Sequence, residues 1–286
     1  MILNKFIVLM NGKTWIRNKC LPTGDKIVTS LCLSRWIFQC LTLVYEIFGW
    51  FLPEVHLGFF NKLIPQARLL FNYVSIWLAS LLCVYYCMKI ANYKNVVFLY
   101  LKVRMSRWVP GCIGLCVFFS FVSSLPYVWQ SFFSQYQAVT TNVFQNMSNN
   151  TTGGHYTYLI GSTPPLVIFS IAFFLTVPSL WRHIRNMSTV GSSFRNPDMK
   201  THYNAIKSMV AFFLLHILFI TSVNINIFGV LETGSPYIRL TRIVALLYPC
   251  LHSSVIIFYN RKLPEGFLFP LTYVLSYIQK KAVTDP

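Results

Sequence analysis

The sequence predicts an all-α membrane protein, a seven-transmembrane helix bundle whose first helix is truncated at its outer end. Three observations carry that prediction. The chain of 286 residues is 55% hydrophobic and only 11% charged, whereas a soluble domain carries about 25% charged residues. Its apolar residues gather into long runs of the roughly 20 residues that a bilayer core requires. Its Lys and Arg residues fall between those runs, concentrated on alternate sides. Together these features exclude a soluble enzyme, a disordered chain and a fibrous repeat. Neither the alternation of a β-barrel nor an internal repeat is visible.

The elements follow in order. Ile2–Asn11 is about half of a span and reads as the inner end of helix 1. It has no charged segment before it and no small-residue cleavage site after it, so it does not read as a leader. Six full spans come next: Ile27–Leu52, Leu69–Ala91, Trp108–Phe132, Pro164–Trp181, Ile206–Val230 and Tyr237–Tyr259. Residues 1–263 therefore form the bundle, and 264–286 a cytoplasmic tail.

The 24 Lys and Arg against 7 Asp and Glu leave a net charge of +17. In a soluble chain this would suggest nucleic acid, but here the distribution among loops matters more. Basic residues crowd four segments: Lys13, Arg17, Lys19 and Lys26; Lys94, Lys102, Arg104 and Arg107; Arg182, Arg185, Arg195, Lys200 and Lys207; and, in the tail, Arg261, Lys262, Lys280 and Lys281. The intervening linkers hold Lys62 and, across Ser131–Gly161, no Lys or Arg. The bias places the basic segments and the C-terminus in the cytosol, with the N-terminus outside. The Ser131–Gly161 linker also carries glycosylation sequons at Asn146, Asn149 and Asn150, as an external loop should. A further sequon at Asn186 lies in a basic inner segment and reads as chance.

All eight cysteines lie in spans or inner linkers, so no external disulfide and no metal site is expected. No Gly-rich phosphate loop, paired ligand set or midspan carboxylate dyad occurs. An enzyme or proton-coupled transporter would place an acid near the midplane. No cofactor is expected.

The spans hold cationic and neutral polar groups instead. Arg35 lies a third to halfway through its span, where a charge costs on the order of 2.5–3.5 kcal/mol. It is expected to face the bundle within an inner polar network rather than snorkel. Arg239 and Arg242 share one face in the outer third of the last span. Arg68 opens the third helix, with Asn72 one turn deeper. Two readings stay open for these arginines: contact with lipid head groups, or a cationic vestibule for anionic or strongly hydrogen-bond-accepting ligands. Pro165, Pro178 and Pro249 should kink their helices.

The motifs resemble those of the type 2 (bitter) taste receptors, a family of seven-helix G-protein-coupled receptors. Asn4-Lys5-Phe6-Ile7-Val8 resembles the inner half of the family's helix 1, and Leu31-Cys32-Leu33-Ser34-Arg35 its helix 2. Tyr85 through Asn92 and Phe98 through Arg104 resemble helix 3 and the following loop. Ser179-Leu180-Trp181-Arg182-His183 resembles helix 5. Asn196-Pro197-Asp198-Met199-Lys200-Thr201-His202 resembles the loop 3 signature. His252-Ser253 with Asn260-Arg261-Lys262-Leu263 resembles the end of helix 7. Two departures stand out: the outer half of helix 1 is missing, and the ligand side is more basic than usual through Arg68 and Arg242.

The resemblance implies a receptor of the plasma membrane that binds small bitter compounds between helices 3, 5, 6 and 7 and activates a gustducin or Gi-class G protein. Ligand contacts are then expected from Arg68, Asn72, Arg239 and Arg242, with Asn224 and Asn226 on helix 6. The inner switch and G-protein side would use Tyr86, Lys89, Arg104, Lys200, His202 and Lys207, with Arg35 and His252 as network residues. For His252 a plain hydrogen-bonded core role is an equal alternative. A vomeronasal-type pheromone receptor and a non-functional truncated receptor are the alternative readings.

Overall fold

The computed structural model describes residues 1–51, 60–90, 96–140, 147–189, 197–227 and 235–259. They form seven α-helices, and among the described residues there is no strand. The helices are α1 (Ile2–Asn18), α2 (Thr23–Phe51), α3 (Phe60–Ile90), α4 (Val96–Thr140), α5 (Met147–Thr189), α6 (Pro197–Ile227) and α7 (Pro236–Tyr259). Six of them, α2 to α7, are long and apolar enough to cross a bilayer. Asn146 and residues 264–286 lie outside the described residues. Asn149, Asn150, Lys200 and His202 fall on helices whose backbone alone is described there.

The helices overrun their apolar cores. Within the lipid slab, helix is the economical way to satisfy every backbone N–H and C=O. Past the slab, each further turn still closes its own hydrogen bonds. Thus α4 spans 45 residues and α5 43. Prolines do not end them: Pro110 and Pro126 lie inside α4, Pro164, Pro165 and Pro178 inside α5, Pro65 inside α3 and Pro249 inside α7. α1 continues past Asn11 to Asn18. It stops at Lys19, whose φ of 51° is left-handed and whose N–H caps the Trp15 carbonyl at 2.8 Å.

α3 is the central pillar, packing on α2, α4 and α5, while α5–α6, α6–α7, α7–α1 and α1–α2 contacts close the ring. Half of the α3 span is buried (50%) against 22% of the α4 span, which lies at the periphery. Lipid tails are as apolar as leucine, so burial alone gives little drive here. Close packing and interhelical hydrogen bonds hold such bundles. Two of these bonds join α3 to α5: Ser80 donates to the Pro165 carbonyl at 2.7 Å, and Cys83 to the Phe169 carbonyl, one turn further along, at 3.7 Å. Cys116 of α4 donates to the Trp77 carbonyl at 3.8 Å. The cysteines thus act as small packing groups with a weak donor, and all eight are free thiols.

α1 is attached differently. Its buried residues are Asn4 and Ile7. Asn4 donates to Gln39 of α2 at 3.2 Å and accepts from Ser253 of α7 at 2.5 Å. Two turns further along the same face, Asn11 donates to Thr29 of α2 at 2.8 Å.

Candidate functional site

Toward one end of the bundle, the end expected to be outer from the basic linkers, lies a cavity of about 480 Å³, within the range of small-molecule sites. Its wall brings together Arg68 and Asn72 of α3, Asn226 of α6 and Arg242 of α7. Four of the six residues expected on the ligand side therefore share one space. Asn224 and Arg239 do not line it. Asn224 is two residues from Asn226, which at 3.6 residues per turn sends the two side chains to opposite faces. Arg239 lies one turn outward of Arg242 and is exposed.

The remaining wall is apolar and aromatic, with Leu69, Tyr127, Tyr158, Phe219, Val223 and Leu246, and carries one acid, Glu46. Arg68 is half-buried, its guanidinium 5.0 Å above the ring of Tyr45. Asn226 is fixed by donating to the Ser222 carbonyl at 2.7 Å and to Thr241 of α7 at 2.8 Å, which leaves its buried Oδ1 without a partner. The cavity can therefore supply cationic donors, an amide acceptor and a greasy lining.

Its floor is formed by Phe38, Phe219 and Ala245. One helical turn deeper on each of the same three helices lie Arg35, His216 and Tyr248. Arg35 is fully buried (0% exposed), donates to the Tyr248 hydroxyl at 3.1 Å and places its guanidinium 5.0 Å from that ring. The same hydroxyl lies 3.1 Å from His216 Nδ1. Tyr248 stacks on Phe219 at 4.3 Å, and His216 on Phe169 at 4.9 Å. The expected network around Arg35 exists, but its partners His216 and Tyr248 were not foreseen. The sequence signal was faint, a lone His and a lone Tyr in apolar runs, where either is commonly a packing residue.

Toward the inner side, His252 is buried and stacks on Phe212 at 4.2 Å. With Tyr86, Cys83 and Met209 it borders a cavity of about 10 Å³, close to the room one water needs. The expected inner residues beyond this point are not gathered into one site. Lys89 is exposed, with its amine 6.0 Å from the Tyr85 ring, Arg104 hydrogen-bonds Tyr100 on its own helix, and Lys207 is exposed.

A family model described as taste receptor protein matches residues 1–274. The chain belongs to that family. This taste receptor is 30% identical over 278 residues to taste receptor type 2 member 3 of Homo sapiens and of Gorilla gorilla gorilla, covering 94% of this chain and 88% of each relative. It is equally 30% identical to taste receptor type 2 member 102 of Mus musculus, over 98% of this chain and 86% of that protein. The taste receptor is thus a multi-pass membrane receptor of the G-protein-coupled class and not an enzyme.

Proposed function

We propose that this taste receptor detects small bitter compounds in the outer cavity and signals through a heterotrimeric G protein of the gustducin or Gi class. The single observation that carries this reading is the 480 Å³ cavity in which Arg68, Asn72, Asn226 and Arg242 meet an aromatic and aliphatic lining. An agonist that fits one arrangement of the bundle better than another shifts the population by its differential affinity. The floor residues stand one turn above the Arg35–Tyr248–His216 network, so a ligand pressing on Phe38 or Phe219 bears on that network. The inner ends of α5 to α7 then part, and the basic rim, including Lys89, Arg104, Lys200, His202 and Lys207, meets the polar and acidic surface of the G protein.

The receptor sits in the plasma membrane with its N-terminus outside and its tail in the cytosol, as the basic linkers support. Asn146, Asn149 or Asn150 then carries glycan. A glycosidase-sensitive gel shift lost when all three become Gln tests that orientation.

Calcium or cyclic-nucleotide responses to a panel of bitter compounds, in cells co-expressing the G protein, test the function. A response to at least one compound is expected. A null across the panel with surface display demonstrated overturns the reading.

A further inference from the structure

On the lipid-facing side of α4, we propose that Arg104 and Arg107 hold the head group of an anionic phospholipid. α4 is the peripheral helix of the bundle, and Val96–Thr140 contains no Asp or Glu. At 3.6 residues per turn, Tyr100, Arg104, Arg107, Trp108, Gly111 and Leu115 fall on one face. All six are exposed.

Two tryptophans set the depth of that face. Trp108 and Trp129, 41% and 68% exposed, stand 21 residues apart, roughly 32 Å along the helix. A bilayer core is about 30 Å thick, and Trp collects at its two boundaries. Arg104 lies one turn beyond Trp108, at the level of lipid phosphates, with Arg107 beside it. The leaflet is the cytosolic one in the orientation proposed above; the chemistry at Arg104 is the same in either. Arg104 belongs to the basic rim as well, and a head group held on its lipid side borders the surface offered to the G protein.

The arginine is held ready. Its guanidinium lies 4.3 Å over the Tyr100 ring and donates to the Tyr100 hydroxyl, while Tyr100 meets Trp108 edge-on with centroids 6.3 Å apart. A stacked guanidinium loses little freedom on binding, and its fork of N–H donors matches phosphate oxygens. Deeper in the bilayer, a β-carbon added at Gly111 or Gly114 would meet nothing within 4 Å. The helix surface is therefore shallow between Trp108 and Leu115, and an acyl chain can lie against it. Two cations on a helix without an acid call for a head group of net negative charge rather than a zwitterionic one. A soluble protein surface matches that charge but not the exposed apolar stripe of Leu115, Phe118 and Val122, which runs on from the arginines into the bilayer core.

The test is native mass spectrometry of the purified full-length receptor in detergent, with phosphatidylserine and phosphatidylcholine competing at equal concentration. Phosphatidylserine should be retained preferentially, and Arg104→Gln and Arg107→Gln should each lower the retained ratio about five-fold. Arg17→Gln, an equal loss of charge at the end of α1, should leave it nearly unchanged. Tyr100→Leu removes no charge, yet it should lower the ratio about two- to five-fold by releasing Arg104. No preference in the parent, or equal losses in Arg17→Gln and Arg104→Gln, overturns the inference. So does an unaltered ratio in Arg104→Gln; a fall in G-protein activation alone would then give that residue to the protein partner. Lipid retention is read without agonist or G protein, so it stands or falls separately from the function proposed above.

Discussion

Gly161 of α5 faces the ring of Tyr73 of α3 so closely that a β-carbon at position 161 would lie 2.5 Å from Tyr73 Cζ. The ring has nowhere to retreat, being fully buried and stacked on Tyr158 with centroids 6.0 Å apart. Gly161→Ala should therefore destabilise the receptor by about 1–3 kcal/mol through overpacking. A lowered Tm and reduced surface display would record it. Replacing Tyr73 by Leu in the same chain should recover part of the loss, because the two positions are coupled.

Tyr248→Phe keeps the stack on Phe219 and removes only the hydroxyl that joins Arg35 to His216. Two buried nitrogens then lose their partner, at about 1–3 kcal/mol. Unfolding midpoints of the purified variant should fall accordingly. A variant as stable as the parent would mean that the hydroxyl bridge contributes nothing net.

Arg242 lines the outer cavity while its helix neighbour Arg239, one turn outward, does not. For an agonist carrying a carboxylate or sulfonate, Arg242→Ala should raise the half-maximal concentration about tenfold or more, the loss of one charge-assisted bond. Arg239→Ala should leave it within about twofold. Dose–response curves normalised to surface receptor make the comparison, and equal effects of the two changes would remove Arg242 from the ligand site.

Asn226 and Thr241 tie α6 to α7 beside the cavity. Thr241→Val removes the tie without touching the lining and should cost about 0.6 kcal/mol, the average for such bonds in membranes. Asn226→Ala should cost more, since the Ser222 bond goes too. A double-mutant cycle read by Tm should return a coupling near the Thr241→Val value.

Much of this architecture was legible in the residues themselves. Lipid leaves an apolar stretch of twenty residues few options, so the long runs declared α2 to α7 without help from propensity. Arg35 was legible for the same reason, since a cation in hydrocarbon has to turn inward. The helix ends were less legible. Polarity marks where the slab stops, but a helix such as α4 continues through Pro110 and Pro126 because its own hydrogen bonds continue. Pairings between helices were hidden altogether. Nothing along the chain says that Gly161 will meet Tyr73, or that Tyr248 will stand between Arg35 and His216. Those depend on how cylinders settle against each other, and the spacing within one cylinder carries no record of its neighbour. Asn224 and Asn226 show the limit well: both were marked as polar residues of α6, and only rotation about the axis separates the one on the cavity wall from the one that is not.

The seating of α1 has a practical corollary. One of its two buried side chains is an amide, Asn4, pinned between Gln39 and Ser253. Grease against grease is no stronger than grease against lipid, so the pins, more than the length of the cylinder, decide whether it stays docked. Solubilising agents that are harsh toward polar contacts but gentle toward apolar ones should strip this segment from the rest first, while alkyl-chain length in the detergent should matter comparatively little to it.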